Sequence, residues 1–133
     1  MSAVKIMDQL LQDDFISKKG FIKLRFNDER FTSLGTTVVN NSGREITIVF
    51  SIYDDSPDII ELNIEFRNKC SVEQIKVIGE KIAEKHHRKM ELYGNDECTA
   101  LVSLFAADEI DKSISMMKDL LEEVNKVLIF LVK

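Results

Sequence analysis

The sequence predicts an α+β fold in one domain, residues 1–133, with the order α-β(3-4)-α-β(2)-α and one antiparallel sheet with helices packed beside it. Three observations predict it. Apolar residues recur at helical spacing in three stretches, at the start, middle and end of the chain. Between these stretches run segments of period-two alternation, polar on one face and apolar on the other. Turn-forming clusters, NNSG and YGNDE, separate neighbouring strand patterns.

The first helix is expected over residues 3–17, where Val4, Met7, Leu10, Leu11 and Phe15 form one stripe and Asp8, Gln12 and Asp13 lie outside it. KKG closes it, with lysines at the negative end of the dipole and Gly20 in the left-handed cap. FIKLRF then alternates, with Ile22, Leu24 and Phe26 on one face and Lys23 and Arg25 opposite. NDER ends this strand, and the β-branched TTVV, residues 36–39, reads as the next one. NNSG, residues 40–43, is a turn. Ile46, Ile48, Phe50 and Ile52 alternate with Thr47, Val49, Ser51 and Tyr53, DDSPD turns the chain at Pro57, and Ile60, Leu62, Ile64 and Phe66 alternate with Glu61, Asn63 and Glu65.

Ser71 followed by Gln74 predicts a capping box for the second helix. Its buried stripe is Val72, Ile75, Ile78 and Ile82. Gly79 at the edge of the stripe lets the helix approach the sheet. Met90 and Leu92 mark a short strand, YGNDE a hairpin turn, and CTALVSLFA, apolar on both faces, an interior strand. Asp108 is the expected cap of a third helix whose first turn holds Glu109 and Asp111. Ile110, Ile114, Met117, Leu121, Val124, Leu128 and Leu131 follow in steps of 4, 3, 4, 3, 4 and 3, a heptad rhythm. Met116, Leu120 and Val127 widen that seam.

Apolar residues make up 44% of the chain and charged ones 31%, which excludes a disordered composition. The net charge of −5 disfavours nucleic acid as a partner, because that affinity comes from basic patches. The longest apolar run, VLIFLV at residues 127–132, is far short of the roughly 20 residues of a membrane span. The N-terminus lacks a signal-peptide core, so the cytoplasm is the expected compartment and no membrane is expected as a partner. Cys70 and Cys98 form no CxxC motif and read as reduced, mostly buried thiols.

Chemistry-bearing patterns are sparse. His86 and His87 are adjacent, so on a helix they point about 100° apart and cannot share a metal from one face. His86 continues the apolar stripe at the core margin, and His87 turns toward solvent. Lys81, Lys85, Arg88 and Lys89 flank the stripe as a solvated face, with no interleaved aromatic residues of the kind a single-strand binder needs. Asp54, Asp55 and Asp58 have turn spacing and not that of a calcium loop. GxSxG, Walker A and GxGxxG are all missing, and no cofactor, metal or catalytic residue is expected.

The order α-β(3 or 4)-α-β(2)-α on a small acidic chain resembles the type III secretion chaperone-like fold, shared by a family of bacterial sensory-transduction regulators. The resemblance spans nearly the whole chain as topology and charge. It implies helices on one twisted sheet, dimers, and protein binding in place of catalysis. No motif matches, so no functional residue carries over.

The expected function is a non-enzymatic, homodimeric protein-interaction module, chaperone-like or regulatory, with a polypeptide client. Its expected interface is the seam Met117, Leu121, Val124, Leu128 and Leu131 with Phe130 as an aromatic anchor, because a helix apolar all round needs burial on all sides. The alternative is a small-molecule-binding or enzymatic domain with a pocket between the sheet and the second helix, near His86, Tyr93 and Cys98.

Overall fold

The computed structural model describes residues 3–25, 31–39, 45–53, 56–66, 71–95 and 97–131, of which residues 3, 23–25, 31, 38–39, 45, 56–57 and 127–131 enter as backbone only. The chain is α+β. Its elements are α1 (Ala3–Leu11), α2 (Asp14–Lys18), β1 (Ile22–Arg25), β2 (Phe31–Val39), β3 (Glu45–Tyr53), β4 (Ser56–Phe66), α3 (Val72–His86), β5 (Glu91–Gly94), β6 (Thr99–Ala106) and α4 (Ile110–Leu131). The strands form one sheet in the order β1-β2-β3-β4-β6-β5, every neighbouring pair antiparallel. β6 therefore lies inside the sheet, as its two apolar faces suggest, and the four-residue β1 and β5 form short edges.

The expected first helix is two. Gln12 and Asp13 donate to the carbonyls three residues back, tightening the end of α1. The Asp13 carboxylate then accepts from the N–H groups of Phe15 (2.9 Å) and Ile16 (3.3 Å), starting α2 as an N-cap. The break changes the buried set. Ile6, Met7, Leu10 and Ile16 are fully buried, whereas Val4 is exposed. Lys19 caps α2 and Gly20 follows at φ 75°, as KKG requires.

The inner face of the sheet carries the core. Ile46, Ile48, Phe50 and Ile52 of β3 pair in register with Phe66, Ile64, Leu62 and Ile60 of β4, and all eight are buried. Phe105 and Leu101 of β6 extend the layer, paired with Ile60 and Ile64. Helices α1, α3 and α4 cover it through Ile6, Met7 and Leu10, Ile75, Ile78 and Ile82, and Ile114, Met116, Met117, Leu120, Leu121 and Val124. Burying a side chain of this size contributes about 1.5–3 kcal/mol.

Four expectations need correction. β1 is one residue out of phase: Phe21 is the buried residue, its ring 6.4 Å from Phe50, and Ile22 points outward. β2 is longer than TTVV, because nine residues from Phe31 pair in sequence with β3. Pro57 lies within β4, which begins at Ser56, so proline occupies a strand start where no ladder donor is required. The N–H of Ala106 is satisfied by Glu109 (2.9 Å) and not by Asp108, and a 3₁₀ turn over Ala107–Glu109 precedes α4. NDER, NNSG, Asp54, Asp55, Phe26 and Cys70 lie outside the described residues.

Candidate functional site

The period of two that sends Ile48 and Phe50 inward sends Val49 and Ser51 outward. Ladder register turns this into rows across the outer face. One row runs Ile22, Gly35, Val49, Asn63, Val102 and Glu91, through all six strands. The next runs Ser33, Ser51, Glu61 and Leu104, and another Thr37, Thr47, Glu65, Ala100 and Tyr93. Eight large apolar side chains stay exposed among the described residues, and five rise from this face: Ile22 (61%), Leu104 (56%), Tyr93 (53%), Tyr53 (42%) and Ile59 (41%). The helices seal the inner face, and the outer face is open over β4, β6 and β5, whereas Ser33, Gly35, Val49 and Ser51 on its β2–β3 half are buried.

Over β4, β6 and β5 the bare face sinks into a trough of about 690 Å³. Asn63, Ala100, Val102 and Leu104 form its floor, and Glu61, Glu91, Tyr93 and the segment His87–Lys89 line its sides. Asn63 Oδ1 is buried there without a hydrogen-bond partner, as are Ser33 Oγ and Thr32 Oγ1 elsewhere in the sheet.

The local electrostatics follow from short contacts. Tyr53 donates its hydroxyl to Glu61 (3.2 Å), and Tyr93 donates to Glu91. Burial, then the Glu61 charge, pushes the Tyr53 hydroxyl above its ordinary value. The hydrogen bond to Glu91 pushes Tyr93 up likewise. Lys89, followed by Tyr93, hydrogen-bonds the Glu91 carboxylate and lowers its pKa. Both phenols therefore act as neutral donors, and the Glu91 carboxylate stays charged.

The segment that walls the trough is fixed by the end of α3. His87 adopts φ 51°, the left-handed region, and the N–H groups of His87 and Arg88 return to Glu84 and Ala83. Arg88 then passes over the edge of the sheet. Its guanidinium donates to the Leu104 carbonyl (3.0 Å) and to Glu109 (2.5 Å) and stacks 4.3 Å from the centre of the Phe105 ring. The Ala106 amide first, and Arg88 second, hold the Glu109 carboxyl down at about 2.

The two histidines have separate surroundings. His86 Nε2 lies 2.6 Å from Asp119 Oδ2 on α4, and Lys85 reaches the same carboxylate at 3.1 Å. Partial burial opposes ionisation of Asp119. The hydrogen bonds from Lys85 and His86 outweigh it, so its pKa is lowered. Lys81 pairs with Glu123 at 3.0 Å. Lys81 and Lys85 thus clasp α3 to α4, while Arg88 meets Glu109 and Lys89 meets Glu91 of β5.

The expected site residues are not brought together. His86 faces α4, Tyr93 lines the outer trough, and Cys98 is an exposed thiol in the β5–β6 turn, not a buried one. Between α3 and the sheet there is no room at Gly79, where a Cβ would lie 2.8 Å from Leu101 Cδ2. Met117, Leu121 and Val124 are buried in this chain's own core, at 0%, 6% and 1% exposure, so they have no area left to give a partner. The side chains of Leu128, Phe130 and Leu131 lie outside those described. Sequence reasoning missed Leu104, Tyr53 and Ile59. The signal was present in CTALVSLFA: the second apolar face of that strand is the one left uncovered. Among the described residues, no three His, Cys, Asp or Glu side chains converge as a metal site, and no helix is long and apolar enough to cross a membrane.

One sheet with helices on a single face is the layout expected of the type III secretion chaperone-like fold, and it has a counterpart among solved structures. The chain is similar in fold to the crystal structure of the ExsC–ExsE complex, with a TM-score of 0.57 over 99% of this chain and 98% of that one. Sequence identity is 10%, so the likeness is one of fold. No family model and no curated protein matches the chain.

Proposed function

We propose that this chain is a polypeptide-binding module, chaperone-like and non-enzymatic, acting as a cytoplasmic homodimer of single-domain subunits. The observation that carries the reading is the outer sheet face, which keeps five large apolar side chains in water while the inner face is sealed. Isolated exposed apolar residues are ordinary, but a shared face of them over a trough is a recognition surface. The similar fold is that of a protein solved in a complex with another, which supports a polypeptide client. The homodimer uses the apolar end of α4, Leu128, Phe130 and Leu131, since the earlier seam residues are already buried.

The test is titration of the full chain with a chemically unfolded reporter polypeptide, alongside light scattering. Wild type binds the reporter and scatters as a dimer. Leu104→Asp with Tyr93→Ser keeps the far-ultraviolet dichroism of wild type and loses binding. Equal binding by that variant removes the outer face from the function, and a monomeric wild type removes the dimer.

The trough volume lies within the range of small-ligand sites and supports a second reading, a small-molecule-binding domain. Thermal-shift screening against metabolites separates the two, because a saturable shift without polypeptide binding favours the second.

A further inference from the structure

We infer, resting on the polypeptide-binding reading, that Arg88 is the positioning residue of the outer trough: its guanidinium takes over from the strand ladder where β5 ends, and so sets where the wall stands over the floor. β6 pairs with β4 along its whole length, Phe66 opposite Thr99 at one end and Ile59 opposite Ala106 at the other. On its other side β5 matches only Thr99 to Val102. Past Val102, among the described residues, no strand lies on that side of β6. Backbone groups left there need other partners.

Two side-chain bonds stand in for the ladder. Arg88 Nη1 donates to the Leu104 carbonyl (3.0 Å), and Ser103 Oγ donates to the Lys89 carbonyl (2.8 Å). Each ties the segment His87–Lys89, which walls the trough, to the strand that carries the floor residues Val102 and Leu104. The segment reaches this place because His87, at φ 51°, turns the chain out of α3. Lys89 also pairs with Glu91, but its side chain is 82% exposed, and an ion pair held in water restrains little.

Arginine suits this post and lysine does not. The planar fork makes three contacts at once: Nη1 on β6, Nη2 on Glu109 at 2.5 Å, and the flat face on the Phe105 ring, 4.3 Å from its centre. A single ammonium cannot span those points. Both prongs are engaged within the chain and the side chain is 24% exposed, so Arg88 serves a bound polypeptide through the wall it holds. Leu104 and Tyr93 recognise by shape, and a wall displaced by about 1 Å leaves their partners poorly enclosed.

Ser103 supplies the comparison that separates positioning from contact. It is 1% exposed and in phase with the inward Leu101 and Phe105, so a polypeptide on the outer face does not reach it. Its effect on binding passes through Lys89 and the wall.

The experiment measures affinity of the full chain for the unfolded reporter polypeptide, with the melting temperature alongside. The variants are Arg88→Lys, Ser103→Ala and, as a stability control in the core of α3, Ile75→Val. Arg88→Lys and Ser103→Ala each weaken binding about tenfold, and the amide signals of Lys89 and Leu104 move in both before reporter is added. Ile75→Val melts lower and binds as wild type. Should Arg88→Lys fail to fold, Ser103→Ala decides by itself whether the wall governs binding. Wild-type affinity in Arg88→Lys overturns the inference and leaves the polypeptide-binding reading standing. Loss in Arg88→Lys with wild-type affinity in Ser103→Ala makes Arg88 a contact residue and overturns its positioning role. An equal loss in Ile75→Val assigns the effect to stability and overturns that role too. A wild type that leaves the reporter unbound overturns the polypeptide-binding reading itself.

Discussion

Gly79 of α3 rests directly against Leu101 of β6, so close that a methyl group at position 79 would come within 2.8 Å of a leucine methyl. Helical glycine costs about 1 kcal/mol relative to alanine, so its presence marks a packing demand that outweighs propensity. Gly79→Ala is expected to destabilise by about 1 kcal/mol net, because overpacking a buried contact costs 1–3 kcal/mol. Gly79→Ala with Leu101→Val should recover most of that loss. Denaturant midpoints of the four proteins check the coupling, and additive losses would show that the contact is not the cause.

His87 is the one described non-glycine residue at positive φ, and it ends α3. A side chain costs about 1–2 kcal/mol in that region, whereas glycine is free of the penalty. His87→Gly should therefore raise stability by about 1 kcal/mol, measured as an upward shift of the melting temperature. A histidine site that bound a metal through this residue would lose that metal on the same substitution; here no change on adding zinc is expected in either protein.

Glu109 links the start of α4 to Arg88, and its folded pKa of about 2 lies below the ordinary value of 4.5. A carboxyl lowered by folding stabilises the native state above its unfolded pKa, and the contribution disappears as the pH falls through the folded value. Glu109→Gln should be less stable than wild type at pH 7, and the gap should close between pH 4.5 and pH 2. Thermal melts of both proteins across that range read the convergence. A gap that stays constant with pH would assign the loss to geometry and not to charge.

Met117 and Leu128 belong to the same heptad seam, yet they should behave differently. Met117 is fully buried within the chain, so Met117→Ala should cost about 2–5 kcal/mol in unfolding without a dimer-specific effect. Leu128→Glu should leave the melting of the subunit core largely intact and halve the mass seen by light scattering. A Leu128→Glu protein that keeps the wild-type mass would take the end of α4 out of the dimer.

The parts of the fold readable in the sequence are those where local pattern and burial agree. Ile46 to Ile52 and Ile60 to Phe66 alternate without interruption, and each falls on the sealed face. Ser71 accepts from the N–H of Gln74 as its spacing suggests. The unread parts depend on contacts distant in sequence. Ser33 and Gly35 have little strand character of their own and join β2 because β3 supplies the ladder. Asp13 breaks an apolar stripe that would otherwise run on, because two backbone donors at its carboxylate outweigh one continuous helix. The candidate site was least legible. Its members, Glu61, Asn63, Val102, Leu104 and Tyr93, come from three strands and meet only through the pairing of β6 between β4 and β5.

That insertion also orders events on the ribosome. The first four strands are neighbours in both sequence and space, so they can zip together as hairpins while the remainder is still being made. The far edge of β4 stays raw until residues 99–106 emerge, long after its own synthesis ends. A stalled or truncated nascent chain would therefore present one open edge of an eleven-residue strand, the form of this molecule most prone to clump.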